Sequence, residues 1–253
     1  MAEFAWLRRY DKLPAVAVAQ MLLNRTGASL TVDGDFGPAT KAAVVNFQSG
    51  HRLTPDGVIG QNTWPRLVHQ ERLPICDCID VFDPDLYTSE NRFLTGVGGR
   101  PITIGGMSNG MEQIVSDIVS RHSNLFLLRF HGHGAAGLAG VSFGHGDHRS
   151  RSSFQNDQAT RQVLRRLRSA MGPYGCIQFM HCQTGRGPAG RQFLQMVANE
   201  TNVPVTAAID DQYASTLRET VRYEGRTTTF CPGLASIGGW ASTRPAFVGM
   251  SFA

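Results

Sequence analysis

Leu125-Phe126-Leu127-Leu128-Arg129-Phe130 is a short apolar run that stops at His131-Gly132-His133-Gly134-Ala135-Ala136-Gly137. Its length and composition predict a buried strand. A second run, Cys176-Ile177-Gln178-Phe179-Met180, ends in the same manner, at His181-Cys182-Gln183-Thr184-Gly185. A third, 203–208, gives out at Asp210-Asp211. Helical spacing fills the intervals. Residues 111–122 put Met111, Ile114, Val115 and Ile118 on one face; 157–171 turn Val163, Leu164 and Leu167 inward; 190–201 use Phe193, Leu194 and Val197. Strands alternating with helices predict a mostly parallel sheet covered by helices. Ahead of it, 73–100 is rich in Asp, Pro and Gly and reads as a linker with one strand at 79–82.

Polar residues therefore follow the C-terminal ends of three strands, the edge where active sites of open α/β sheets collect. A thiol at one strand end and an imidazole at another can meet there although His133 and Cys182 are far apart in sequence. The imidazole can take the thiol proton, the thiolate can attack a carbonyl, and backbone amides near Gly134 and Cys182 can hold the oxyanion. His131 is the second candidate imidazole. Asp210 and Asp211 could line a pocket for a basic side chain. A competing reading gathers His131, His133, His145, Asp147, His148 and His181 as zinc ligands, although the chain has no His-Glu-x-x-His pattern.

A short repeat occupies the first 70 residues. Asp33-Gly34-Asp35-Phe36-Gly37-Pro38-Ala39-Thr40 and Asp56-Gly57-Val58-Ile59-Gly60-Gln61-Asn62-Thr63-Trp64 share Asp-Gly-x-apolar-Gly-x-x-Thr. Asp-Gly supplies a tight turn, and a helix starts near Pro38 or Asn62. Ala43, Val44 and Phe47 mark one helical face, and Val16, Ala19, Gln20 and Leu23 mark an earlier one. The expectation is a small helical bundle with two Asp-Gly loops.

Composition bounds the rest. The 253 residues are 42% hydrophobic and 17% charged, enough to build a sizeable core in one or two domains. The net charge of +4 is too thin to establish nucleic-acid binding but favours an acidic polymer or surface. No run approaches the ~20 apolar residues of a membrane span. Arg8-Arg9 followed by 13–23 reads better as an amphipathic helix than as a cleaved leader, since Asp11, Lys12, Gln20 and Asn24 flank or interrupt it. Action outside the cell would then need a specialised export machine or lysis. Five cysteines (Cys76, Cys78, Cys176, Cys182, Cys231) are an odd number, not a disulfide scaffold, and Cys76-x-Cys78 lacks zinc-knuckle spacing.

The repeat, with Ala19-Gln20, Leu23-Asn24 and Phe47-Gln48 around it, resembles the peptidoglycan-binding domain appended to many cell-wall hydrolases, over about residues 13–68. The resemblance implies a three-helix module that binds wall polymer, with Asp33, Gly34, Phe36, Gly37, Asp56, Gly57 and Trp64 as its characteristic residues. Strand–His-Gly followed by strand–Cys-x-x-Gly resembles the caspase-like superfamily of cysteine peptidases, over roughly 100–215. That resemblance implies His133 and Cys182 as a catalytic dyad and no cofactor. Met180 departs from it, standing two residues before the thiol where many basic-residue-cleaving relatives carry an acid.

The expected organisation is thus α plus α/β: a three-helix bundle (1–72), a linker (73–100) and a caspase-like domain (101–253). The expected activity is amide hydrolysis at the wall, on a protein or a peptidoglycan stem peptide. A non-catalytic wall-binding protein is the third alternative.

Overall fold

The structure is a computed structural model that describes residues 4–69, 73–80, 84–96, 99–104, 110–141, 153–213 and 222–245. Three helices come first: α1 (Pro14–Arg25), α2 (Pro38–Gly50) and α3 (Trp64–Val68). Each has proline in its opening positions, where the missing N–H costs no helical hydrogen bond. The α/β part then runs β1 (Ile75–Asp80), α4 (Pro84–Gly96), β2 (Ile102–Ile104), α5 (Gly110–Arg121) and β3 (Leu125–His131). Next come three short strands, β4 (Gly134–Ala135), β5 (Leu138–Gly140) and β6 (Ser153–Gln155), followed by α6 (Gln158–Arg165). The chain closes with β7 (Met171–Met180), α7 (Gly187–Thr201), β8 (Val205–Ala208), β9 (Thr227–Phe230) and α8 (Ile237–Ser242).

The main sheet has the order β2-β1-β3-β7-β8-β9; all its pairings are parallel except β8 with β9. The expected mostly parallel sheet flanked by helices is therefore present. On one face, Ile114, Val115 and Ile118 of α5, Val163 and Leu164 of α6 and Phe193, Leu194 and Val197 of α7 pack on Leu128, Phe130, Ile177 and Phe179. Stacking of Phe130 on Phe179, with ring centroids 5.5 Å apart, ties β3 to β7 inside that layer.

The opposite face is covered by the N-terminal helices. Residues of α1 and α3 share one buried cluster with Phe126 and Leu127 of β3, Tyr174 and Cys176 of β7, and Trp240 of α8. Trp64 meets Phe126 edge-on at 5.6 Å, and its indole N–H donates to the Ala5 carbonyl. The helical module is thus the second layer of the α/β domain. This corrects two expectations. Helix α1 is not one-sided: Ala15, Val16, Ala17, Val18, Ala19, Leu22 and Leu23 are all buried, because the bundle lies on one side and the sheet on the other. Nor is 73–100 only a linker and entry segment with one strand at 79–82. It carries β1, between β2 and β3, and α4, whose Leu94 packs on Ile79.

Two further boundaries differ. The helix expected over 157–171 ends at Arg165, continues as a single 3-10 turn to Ser169, and gives way to β7 at Met171. Asp157 caps α6 by accepting the Thr160 N–H at 2.8 Å. The Thr-rich β9 and the short α8, beyond the aligned motifs, complete the sheet edge and the module-side layer.

Candidate active site at the strand ends

His131 is the last residue of β3, fully buried. Its Nε2 lies 2.7 Å from Asp77 Oδ1 on β1, and its Nδ1 lies 2.8 Å from Glu90 Oε2 on α4. Arg129, two residues earlier on the same side of the strand, reaches Asp77 through Nε at 2.6 Å and Nη2 at 2.9 Å. Burial works against the imidazolium, but the Glu90 and Asp77 carboxylates outweigh it and push the His131 pKa up to about 9. Two cations and two carboxylates therefore neutralise one another inside the protein. Losing one partner of such a set costs more than the set itself contributes, because a charge is left buried and uncompensated.

His133 lies two residues on and is exposed. The turn that carries it is sewn to the turn that carries Cys182. His181 Nε2 donates to the Gly140 carbonyl at 2.8 Å, and the Thr184 hydroxyl donates to the Leu138 carbonyl at 2.8 Å. The Gly137 N–H donates to the Thr184 carbonyl at 3.1 Å, and Gly140 N–H to the His133 carbonyl at 2.8 Å. A Cβ on Gly134 would sit 2.5 Å from Thr184 Oγ1 and 2.9 Å from the Cys182 carbonyl. Only glycine allows this approach.

His181 and Thr184, on either side of the thiol, are the residues that sequence reasoning did not single out for this stitching role. Burial keeps the His181 imidazole neutral, its pKa lowered to about 3, with His131 and His133 nearby adding to the effect and the Gly140 bond opposing it.

Among the five free cysteines, Cys182 alone is not buried. Its sulfur accepts the Gln212 N–H at 3.3 Å and lies 3.5 Å from the Gln212 carbonyl. Gln212 is itself clamped to Glu224 by two bonds, Nε2 to the Glu224 carbonyl at 2.8 Å and Glu224 N–H to Oε1 at 2.9 Å. Cys176 and Cys231 are buried, and burial raises their thiols to about 12 and about 11. Cys76 faces Cys78 at 3.9 Å in the other core. Its pKa is drawn down by Cys78 and, more weakly, by His122 against the opposing effect of burial.

Of the acids expected to line a pocket, Asp210 is bound by Arg226 at 2.8 Å through Nη2 and at 3.1 Å through Nε. These bonds lower its pKa to about 2. Asp211 accepts from the Gln183 side chain at 2.7 Å, next to the thiol. His145, Asp147 and His148 lie outside the described residues.

In the helical module the two Asp-Gly loops are built alike. Gln20 on α1 enters the first loop: its Nε2 donates to Asp33 Oδ1 (2.9 Å), the Asp35 carbonyl (3.0 Å) and Thr40 Oγ1 (3.1 Å), and its Oε1 accepts the Gly34 N–H (2.9 Å). Gln48 on α2 repeats this with Asp56 (2.8 Å), Val58 (2.9 Å), Thr63 (3.0 Å) and the Gly57 N–H (2.9 Å). Gly34 and Gly57 take φ of +77° and +72°, a backbone shape that side chains disfavour. The repeated Asp, Gly and Thr thus serve a threaded glutamine. Phe36 and Trp64 are core residues, and Gly37 precedes α2 as its N-cap.

Comparison with known proteins agrees with this division. Residues 12–67 match the peptidoglycan binding domain family (PG_binding_1). The chain is similar to a zinc D-Ala-D-Ala carboxypeptidase of Streptomyces albus G, 55% identical over 42 residues, which are 17% of this chain and 16% of that protein. It also aligns with a peptidoglycan-binding protein from Clostridioides difficile (37% identity, 24% of this chain, 39% of that one, TM-score 0.24). The Burkholderia AP3 phage endolysin aligns at 34% identity over 36% of this chain and 33% of its own, TM-score 0.26. Whole-chain structural likeness at that level carries no argument. Residues 89–217, just over half of the chain and the part holding both strand-end turns, match a domain of unknown function, DUF4347. The protein therefore belongs to the DUF4347 family and carries an N-terminal peptidoglycan-binding domain.

Proposed function

We propose that this chain is a wall-targeted cysteine hydrolase of amide bonds, with Cys182 as nucleophile and His133 as the proton-handling imidazole. The observation that carries the reading is the stitching of the His133 turn to the Cys182 turn by His181, Thr184 and Gly137. Catalytic geometry requires that kind of rigid support, and here it joins two strand ends far apart in sequence. Cys182 is the one cysteine that is not buried, and its sulfur is held between the N–H and the carbonyl of Gln212.

In this mechanism the Cys182 sulfur forms a bond to the amide carbon while amides near Gly134 and Cys182 receive the oxyanion. His133 passes the thiol proton to the departing amine as the C–N bond breaks. Water then attacks the thioester carbon, His133 takes a proton from it, the C–S bond breaks, and His133 returns that proton to the Cys182 sulfur as the acid product leaves. The order of the two motifs on a parallel sheet is what a resemblance to caspase-like peptidases implies. The peptidoglycan-binding domain supports a substrate at the cell wall.

Zinc chemistry fits the histidines less well. His131 has both ring nitrogens turned to carboxylates, and His181 uses Nε2 on a backbone carbonyl.

Incubating the wild type and Cys182→Ala with purified sacculi and with a proteome, and mapping new termini by mass spectrometry, tests the proposal. New amide-cleavage products are expected from the wild type alone. Equal products from both proteins refute the thiol mechanism, and so does iodoacetamide labelling of Cys182 no faster than that of Cys76 or Cys231.

A further inference from the structure

A second concave site lies away from the strand-end turns. The cleft measures about 520 Å³ and has walls from three places: the segment Arg8–Asp11, the second Asp-Gly loop with Lys41 beside it, and Arg222–Gly225 of the α/β domain. We propose that it binds the carboxylate-bearing stem peptides of peptidoglycan. The proposal rests on the reading of the N-terminal domain as a wall-binding module.

Charge comes first. Four cations line the cleft, Arg8, Arg9, Lys41 and Arg222, against two acids. Both acids are already engaged. Asp56 Oδ1 receives the Gln48 amide and the Val58 N–H. Asp11 accepts the Arg8 N–H at 2.7 Å and has Arg222 at 4.0 Å. The wall thus presents an excess of guanidinium and ammonium groups, which recognise carboxylates through charge-assisted hydrogen bonds.

The second observation is Tyr10. The residue is 77% exposed, with the Arg9 guanidinium 4.8 Å from its ring centroid. Its backbone has φ +79°, a left-handed shape that costs a non-glycine residue energy. The shape is held by the Tyr10 N–H on the Phe36 carbonyl and the Arg8–Asp11 turn. A flat ring held outward beside cations suits a peptide plane or sugar face next to a carboxylate. The volume falls in the range of small-ligand sites and accommodates a few residues of peptide.

The characteristic Asp33 and Asp56 are spent on their own loops, so recognition by this module needs other groups, and the cleft supplies them. One segment also links it to the proposed chemistry. The segment that contributes Arg222, Tyr223 and Gly225 holds Gln212 through Glu224, and Gln212 contacts the Cys182 sulfur.

The test uses the full chain with Cys182→Ala, so that ligand persists, titrated calorimetrically with a soluble disaccharide stem-peptide fragment. The same fragment with amidated carboxylates, the stem-free disaccharide and a glycerol-phosphate polymer form parallel arms, and sacculus pull-down runs alongside. Lys41→Gln and Arg222→Gln should each weaken fragment binding about tenfold, and Tyr10→Ala several-fold. Amidation should mimic the loss of the cations. Lys41 and Tyr10 are exposed, so their variants report binding even if Arg222→Gln disturbs the Asp11 contact.

Unchanged fragment affinity in all three variants with sacculus retention intact overturns the cleft and leaves the wall reading standing. Tighter binding of the glycerol-phosphate polymer than of the fragment overturns the ligand class. Failure of the parent protein to retain on sacculi or to bind the fragment overturns both readings.

Discussion

Replacing Trp64 with alanine tests whether the helical module is a structural layer of the α/β domain or a tethered accessory. Trp64 is fully buried, donates its indole N–H to the Ala5 carbonyl and packs edge-on against Phe126 of β3. Truncating a buried Trp to Ala costs about 3–5 kcal/mol through lost contacts and the cavity left behind. Cys176, on β7 beneath the same layer and fully buried, is a built-in reporter: it can be alkylated only when that layer opens. If Trp64 packing is lost in the opening, the rate should rise by the whole free-energy cost, about 10²- to 10⁴-fold at ~1.4 kcal/mol per decade. Pulsed N-ethylmaleimide labelling with peptide mapping measures this in the native protein. Cys78, in the core on the other face, is the internal control. Acceleration of Cys176 and Cys231 with Cys78 unmoved means that the module lifts off the sheet; acceleration of all three means that the layers unfold together. Labelling of wild-type Cys176 as fast as an exposed thiol, or an unchanged rate in Trp64→Ala, would show that Trp64 does not hold this layer on the sheet.

Gln48→Leu should lower stability by about 3 kcal/mol, read by denaturant unfolding, because the Gly57 N–H and Val58 carbonyl lose their buried partner; no measurable loss would mean that the loop does not depend on its threaded glutamine. Stability against pH should be highest near neutrality. His131, raised from 6.5 to about 9, contributes fully below 6.5 and loses that contribution as pH climbs through 9. His181, lowered from 6.5 to about 3, contributes above 6.5 and loses it as pH falls toward 3. Thermal melts of His131→Gln should therefore lack the alkaline slope of the wild type while keeping the acid one. Gly134→Ala must force the Thr184 hydroxyl away from a methyl that would start 2.5 Å from it, at roughly 1–3 kcal/mol. It should change the alkylation rate of Cys182 with only a modest shift in Tm, and an unaltered rate would mean that the two turns are not mechanically joined.

Much of the α/β layer was readable because β3, β7 and β8 are apolar runs and α5 and α7 show one clean apolar stripe. Strand β1 was not. Cys76-Asp77-Cys78 places a carboxylate mid-strand, and that becomes tolerable only through Arg129 and His131, more than fifty positions later. Pattern reading sees the acid and cannot see its partners. Strand β9 failed for a related reason: Thr227-Thr228-Thr229-Phe230 is only half-buried, so no apolar alternation marks it. The all-round burial of α1 was invisible because a stripe reports one partner, whereas this helix has the bundle on one side and the sheet on the other. In the module, Gln20 and Gln48 stood in the sequence pattern, but their task emerges only when each is seen inside its loop. At the strand ends both His131 and His133 precede glycine, and the sequence favoured His133 only through the Gly134-Ala135-Ala136-Gly137 loop that follows it.

What separates those two histidines is charge. A general base near neutral pH has to gain and lose a proton at little cost and within reach of substrate. His131 meets neither condition, since it is sealed between Asp77 and Glu90 with Arg129 beside them, and its proton is held to about pH 9. His181 fails in the opposite sense: burial holds it neutral, and its N–H is committed to Gly140. The two buried imidazoles thus sit in opposite protonation states around the pair of turns. One anchors the end of β3 to β1 and α4, and the other fixes the turn after β7 to the hairpin after β3. A metal drawing on either would first have to displace carboxylates or a backbone carbonyl already in place. Of the three described histidines at the strand ends, His133 is the exposed one, and its turn is fastened to the turn after β7. The proposed pairing with Cys182 draws on that combination, an exposed side chain on a backbone kept from drifting.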